Sequence, residues 1–216
     1  MAVSTRPAPC IRSVTGSAAA HSGAMVTSSS TLHRDIDEVL LTQEALAARV
    51  AQLGRQIAAD YAGRRPLVVG TLKGAVVFMA DLVRAMEPTP EGLQLEFVRA
   101  SSYGAGTVSS GKVALSGTLA AADVEGRHVL LVEDIVDSGR TAVALLEHFK
   151  AMGAASVALV SLLSKPSRRT VPCEPDYLCF EVEDKFVVGY GLDFDEQYRS
   201  LPYVGVLRPE CYSSVD

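Results

Sequence analysis

With 216 residues, 48% of them hydrophobic, and a net charge of −5, the chain is long enough for one domain with an ordinary core. The acidic balance and the lack of a basic stripe exclude general nucleic-acid binding, and no apolar run approaches the ~20 residues of a membrane-spanning helix. Cys10, Cys173, Cys179 and Cys211 show no Cys-x-x-Cys spacing for zinc or dithiol chemistry and read as free thiols of a reducing compartment.

Residues 1–33 are rich in Ser, Ala and Thr, carry Arg6 and Arg12, and contain no acidic residue. This composition reads either as a disordered leader or as an organelle transit peptide, with Met25 as an alternative start. Thr42 to Tyr61 then places Leu46, Val50, Leu53, Ile57 and Tyr61 on one stripe, the pattern of a helix packed on a sheet. A short apolar strand follows, ending in Val69-Gly70-Thr71-Leu72-Lys73-Gly74, and it turns into a helical stretch from Ala75 to Met86. Strand-like runs at Leu93 to Val98 and Lys112 to Leu119 flank a Gly- and Ser-rich segment, Ser101 to Gly111, that reads as a hairpin tip.

The most informative stretch is Val129 to Thr141, VLLVEDIVDSGRT. Val129 to Val132 is a continuous apolar run, as expected for a strand covered on both faces of a parallel sheet. Glu133 and Asp134 are expected where that strand ends, facing the crevice in which open α/β sheets bind ligands, available to sugar hydroxyls or a metal. Asp137-Ser138-Gly139-Arg140-Thr141 leads into a helix with Ala142, Leu145, Leu146, Phe149 and Met152 on one face and Gly153 as its stop. The free amides of a helix N-terminus bind anions, Gly139 allows close approach, and the Ser138 and Thr141 hydroxyls add donors. A carboxylate at Asp137 beside a phosphate site needs another task, such as exchanging a proton with a reacting base. The plain alternative is an acidic turn in which Asp137 or Ser138 caps the helix.

Two later segments carry further chemistry. Ser161-Leu162-Leu163-Ser164-Lys165 is an apolar strand ending in a lysine, and Asp184-Lys185-Phe186-Val187-Val188-Gly189-Tyr190-Gly191-Leu192-Asp193 continues through Glu196 and Tyr198 to Arg199. In isolation these are solvated charges and a core aromatic. His21, His33, His128 and His148 accompany no nucleophile motif and receive no catalytic role.

The ordered string of strand, acidic pair, two apolar residues, Asp, Ser, Gly and Thr resembles the 5-phosphoribosyl 1-diphosphate (PRPP) motif of type I phosphoribosyltransferases. Val69 to Gly74, Lys165 and the Asp184 to Arg199 segment resemble the hypoxanthine-guanine branch. The resemblance implies a doubly wound α/β fold with a mainly parallel central sheet and a small hood built from residues 34–41 and 168–216. It implies that Glu133 and Asp134 take the ribose hydroxyls, that Asp137, Ser138, Gly139, Arg140 and Thr141 hold the 5-phosphate, and that Asp137 is the acid/base at purine N7. Leu72, Lys73 and Gly74, with a cis peptide between the first two, join Arg199 at the diphosphate. Ile135, Lys165, Lys185, Phe186, Val187 and Asp193 contact the purine, Lys165 through its 6-oxygen, and Ser102 and Tyr103 belong to a closing loop. Mg²⁺ is implied with Glu133, Asp134 and Asp193 around it. The expected partners are PRPP and a 6-oxopurine, with a homodimer or homotetramer and no nucleic acid or membrane. The expected location is the cytoplasm, or a plastid or mitochondrion if the leader is a transit peptide. A phosphoribosyltransferase for xanthine, adenine or a pyrimidine, or a non-catalytic PRPP-sensing regulator, are the competing readings.

Overall fold

The computed structural model describes residues 33–102, 113–116 and 119–213. In chain order the elements are β1 (Ile36–Leu41), α1 (Gln43–Asp60), β2 (Leu67–Leu72), α2 (Val76–Ala85), β3 (Gln94–Ser102), β4 (Val113–Ser116), α3 (Ala121–Val124) and β5 (His128–Val136). They continue with α4 (Arg140–Ala151), β6 (Ser156–Ser164), β7 (Tyr177–Glu181), β8 (Val187–Val188), β9 (Val204–Leu207) and α5 (Pro209–Tyr212). Thr42 starts α1 by accepting the Ala45 N–H on its hydroxyl at 3.2 Å, an N-cap that satisfies one of the orphan amides.

The large sheet has the order β4-β3-β2-β5-β6-β7. Strands β3, β2, β5, β6 and β7 run parallel and β4 is antiparallel to β3. The alternation of the buried strands sorts their side chains between two cores. Val68, Leu130 and Val132 face α1 and α2, packing with Leu46, Leu53, Phe78 and Leu82. Leu67, Val69, Val129 and Leu131 face the other way, against Val124 of α3 and Leu145 and Phe149 of α4. Helices on both faces are the reason these strands read as unbroken apolar runs. After β2 the chain moves outward to β3 and β4, then returns to place β5 on the other side of β2. This reversal opens a crevice at the carboxyl ends of β2 and β5, the place where such sheets bind ligands.

The structure differs from expectation in two places. Strand β5 does not stop at Val132: it keeps its parallel register with β6 through Glu133↔Ser161, Ile135↔Leu163 and Val136↔Ser164, so the acidic pair lies inside the strand. Backbone pairing with a long neighbour extends the strand beyond its apolar run. The segment expected as hood is divided, because Tyr177–Glu181 pairs with β6 at the edge of the large sheet. The separate small sheet, β1-β9-β8, takes residues from 36–41 and from 187 onward, closed over Ile36, Val188, Tyr203 and Leu207. The antiparallel pairing of β3 and β4 reaches Ser102↔Val113, and Tyr103, expected in the closing loop, lies outside the described residues with the remainder of that segment.

Candidate active site

The turn from β5 into α4 forms one wall of the crevice. Gly139 occupies the N-cap position with φ 85°, a left-handed conformation that suits glycine, and no side chain caps the helix. Neither Asp137 nor Ser138 is the cap, so the plain alternative for this turn is corrected: the chain reaches the helix through a left-handed glycine. A cleft of about 220 Å³ opens here, lined by Glu133 through Gly139, Thr141 and Ala142. The Arg140 side chain is drawn away, its Nε donating to Thr170 Oγ1 at 3.0 Å, while its backbone N–H meets the Ser138 Oγ at 3.5 Å.

Within β5 the two carboxylates have different surroundings. Glu133 is buried, accepts the Thr71 hydroxyl on Oε2 at 2.7 Å, and its Oε1 is buried with no partner. The same Thr71 hydroxyl lies 3.2 Å from the Val132 carbonyl, and it has a single proton to give. Burial is the main reason the Glu133 carboxyl is pushed up to about 8, against the opposing Thr71 hydrogen bond. Half-buried Asp134 is also raised, by desolvation first, while the Ile135 N–H it accepts at 2.9 Å and the Arg199 charge work in the other direction. Its Oδ2 packs against Gly74 so closely that a Cβ there would lie 1.7 Å away. An acid whose folded pKa is raised holds its proton where the unfolded chain has released it. Folding stability therefore falls as pH rises from about 4.5 towards 8. Glu133→Gln removes this dependence: its thermal midpoint exceeds that of the parent by about 4 °C or more at pH 8.5, and the gain disappears near pH 4.5. A pH series of calorimetric midpoints checks it, and equal shifts at both pH values contradict it.

The loop after β2 supplies the opposite wall. The Leu72–Lys73 peptide is cis. Lys73 Nζ lies 2.7 Å from Glu196 Oε2. Arg199 reaches the same region from the hood, with Nη1 donating to the Gly191 carbonyl at 2.8 Å and Nη2 2.9 Å from Asp193 Oδ1. Its Nε is buried without a partner. The other Asp193 oxygen accepts the Glu196 N–H at 2.9 Å.

A second cleft, of about 260 Å³, is lined by Asp134, Ile135, Asp137, Lys165, Phe186, Val187, Leu192 and Asp193. Lys165, 8% exposed, follows β6 and donates through Nζ to the Lys185 carbonyl at 2.7 Å, with Asp184 Oδ1 at 3.6 Å. Phe186 is 38% exposed, which is unusual for an aromatic in a folded core. Of the residues expected around the purine, Lys185 alone is not brought to the cleft by its side chain. Its Nζ is 2.5 Å from Glu38 Oε1, joining the segment before β8 to β1 across a charge pair the local motif does not encode. Ser102 sits at the end of β3, where it pairs with Val113.

Sequence reasoning missed three residues. Arg169 ties the β5–α4 turn to the end of β6: Nη1 donates to the Val136 carbonyl and, at 2.5 Å, to that of Asp137, while Nη2 donates to Ser164 Oγ at 2.7 Å and Nε to the Cys173 carbonyl at 2.8 Å. Arg168 Nε lies 3.2 Å from Asp137 Oδ1 and its Nη1 3.5 Å from Asp184, linking the two carboxylates across the mouth of the cleft. Tyr212 of α5 stacks on Phe186 at 4.9 Å between ring centroids and 20° between planes, and Phe194 meets it edge-on at 5.4 Å. The Arg-Arg pair after Lys165-Pro166 was a visible signal. Tyr212 had none.

Comparison with known proteins places this geometry. Residues 38–195 match the family described as phosphoribosyl transferase domain. The chain is 51% identical over 182 residues to the "Bifunctional protein TilS/HprT" of Listeria innocua, covering 84% of this chain and 28% of that longer protein. It is 46% identical, also over 182 residues, to the hypoxanthine-guanine phosphoribosyltransferase of Streptococcus thermophilus, covering 84% of this chain and 99% of the relative. Among solved structures, a hypoxanthine phosphoribosyltransferase from Staphylococcus aureus superposes with a TM-score of 0.78 at 40% identity, covering 85% of this chain and 98% of that one. On the extent of these matches, the chain belongs to the phosphoribosyl transferase family, in its hypoxanthine-guanine branch.

Proposed function

We propose that the chain catalyses purine salvage, transferring the 5-phosphoribosyl group of PRPP to N9 of hypoxanthine or guanine and releasing IMP or GMP and diphosphate. The observation that carries this reading is that the two clefts share Asp134, Ile135 and Asp137. A phosphate held at the glycine-led start of α4 and a base held against Phe186 would meet where the acidic part of β5 lies between them, the arrangement that joining a ribosyl carbon to a purine nitrogen requires.

In this reading the amides at the start of α4, with Ser138 and Thr141, hold the 5-phosphate, and Glu133 and Asp134 receive the ribose hydroxyls. Lys73 and Arg199 hold the diphosphate. Asp137 accepts or returns the proton at purine N7. Lys165, after donating to the Lys185 carbonyl, keeps donors for a 6-oxygen; adenine presents an amino group there and sets donor against donor. Phosphoribosyltransferases generally use Mg²⁺ with PRPP, and we assign it as cofactor. Among the described residues no group of three or more His, Cys, Asp or Glu forms a metal cage. Mg²⁺ bound with PRPP takes one or two protein carboxylates together with substrate oxygens. The buried, unpartnered Glu133 Oε1 fits a hydroxyl or a cation, and Glu133, Asp134 and Asp193 are the carboxylates from which those one or two would come. When bound, Mg²⁺ supplies positive charge to the leaving diphosphate. A homodimer or homotetramer is the assembly expected of this branch.

A spectrophotometric assay with PRPP, Mg²⁺ and, separately, hypoxanthine, guanine, xanthine, adenine and uracil tests the reading. Turnover is expected with hypoxanthine and guanine, and its absence with both would overturn the proposal. In the same assay Lys165→Ala lowers kcat/KM for hypoxanthine by about 10- to 100-fold, the scale of one lost hydrogen bond to a buried partner. Its preference over adenine narrows. Unchanged discrimination would make the lysine structural.

A further inference from the structure

The two cations assigned to the diphosphate converge on one carboxylate of this chain. Lys73 comes from the loop after β2 and Arg199 from the hood, yet Glu196 meets both, with Oε2 2.7 Å from Lys73 Nζ and Oε1 3.5 Å from Arg199 Nη2. One oxygen faces each cation, as two oxygens of a diphosphate would.

Stability does not explain the arrangement. The Glu196 side chain is 63% exposed, and exposed ion pairs contribute little to folding. The turn that aims it is costly: Asp195, Glu196 and Tyr198 all have positive φ, at 50°, 62° and 72°, a region non-glycine residues rarely adopt. The turn is held by paired hydrogen bonds between Phe194 and Gln197 and by Asp193 accepting the Glu196 N–H. Arg199 Nε meanwhile is buried without an acceptor, a donor that Glu196 does not satisfy.

We infer that Glu196 is an internal stand-in for diphosphate: it occupies the Lys73–Arg199 pair in the free enzyme, is displaced when the diphosphate end of the substrate arrives, and competes with the diphosphate product for the same two cations. The inference rests on the assignment of Lys73 and Arg199 above. Its consequence is that this chain binds diphosphate more weakly than its cations allow, which speeds product release.

The test is the affinity of inorganic diphosphate, measured by calorimetry with Mg²⁺ and as product inhibition against PRPP. Three variants are compared with the parent. Glu196→Gln removes the charge with little change of shape. Glu196→Asn does so with a residue that tolerates positive φ, so that one informative variant remains if the turn rejects the other. Glu91→Gln removes the same charge from an exposed loop before β3, away from the crevice. Both Glu196 variants should bind diphosphate about two- to tenfold more tightly, the worth of one or two exposed ion pairs, with the gain shrinking as salt is raised. KM for hypoxanthine should not change, and Glu91→Gln should match the parent. Unchanged or weaker diphosphate binding in the Glu196 variants overturns the inference, as does an equal gain in Glu91→Gln. A parent protein that binds no diphosphate at all is a separate outcome: it removes the assignment of Lys73 and Arg199, and this inference with it.

Discussion

Asp137→Asn is expected to lower kcat for hypoxanthine by about 10²- to 10⁴-fold, the range of a lost general acid/base, while PRPP binding stays within a few-fold of the parent. Asp137 lines both clefts, so its carboxylate borders the β5–α4 turn and the cleft beside Phe186 together. Asparagine keeps the size and can still meet Arg168, but it can neither take nor return a proton at N7. The half-exposed pair with Arg168 contributes little to folding, so the thermal midpoint should barely move. Steady-state kinetics with hypoxanthine and calorimetric titration with PRPP separate the two effects. An unchanged kcat would place the N7 proton on water or another group.

Gly74→Ala tests the opposite wall and should cost kcat/KM about 10²-fold or more, the penalty for displacing a reacting group by roughly 1 Å. A Cβ at this position would lie 1.7 Å from Asp134 Oδ2 and 2.6 Å from its Cγ. The atoms in the way are the end of a side chain, so the methyl is accommodated by swinging the carboxylate out of place. Asp134 then loses the Ile135 N–H that it accepts at 2.9 Å. Because the backbone need not move, folding should survive, with the loss appearing in kinetics at near-parental thermal stability. Activity within threefold of the parent would show that Asp134 is not needed where it stands.

These two positions differ in how much of their setting the sequence discloses. The motif from Val129 to Thr141 could be read directly because its parts are local: an apolar run, an acidic pair, and a turn whose amides become anion donors once a helix follows. The helix at Thr42 to Tyr61 is plain from its stripe and that at Ala75 to Met86 from its place after the strand and turn, and each differs from the structure by a residue at either end. Lys165 and Phe186 could be assigned to a base only through the family resemblance, since a buried lysine and a half-exposed phenylalanine carry no local signature of what they face.

By itself, then, the chain determined the α/β class, the crevice turn and the carboxylates, all set by hydrogen bonding and burial within short segments. Tertiary structure alone decided which distant groups meet. It paired Lys185 with Glu38, laid Tyr212 on Phe186, threaded Arg169 onto the Val136 and Asp137 carbonyls, and set Glu196 between Lys73 and Arg199. The Lys73–Glu196 pair spans 123 positions of chain. Such contacts depend on strand order at the reversal between β2 and β5 and on where the hood sheet closes, and no local preference of either residue encodes them.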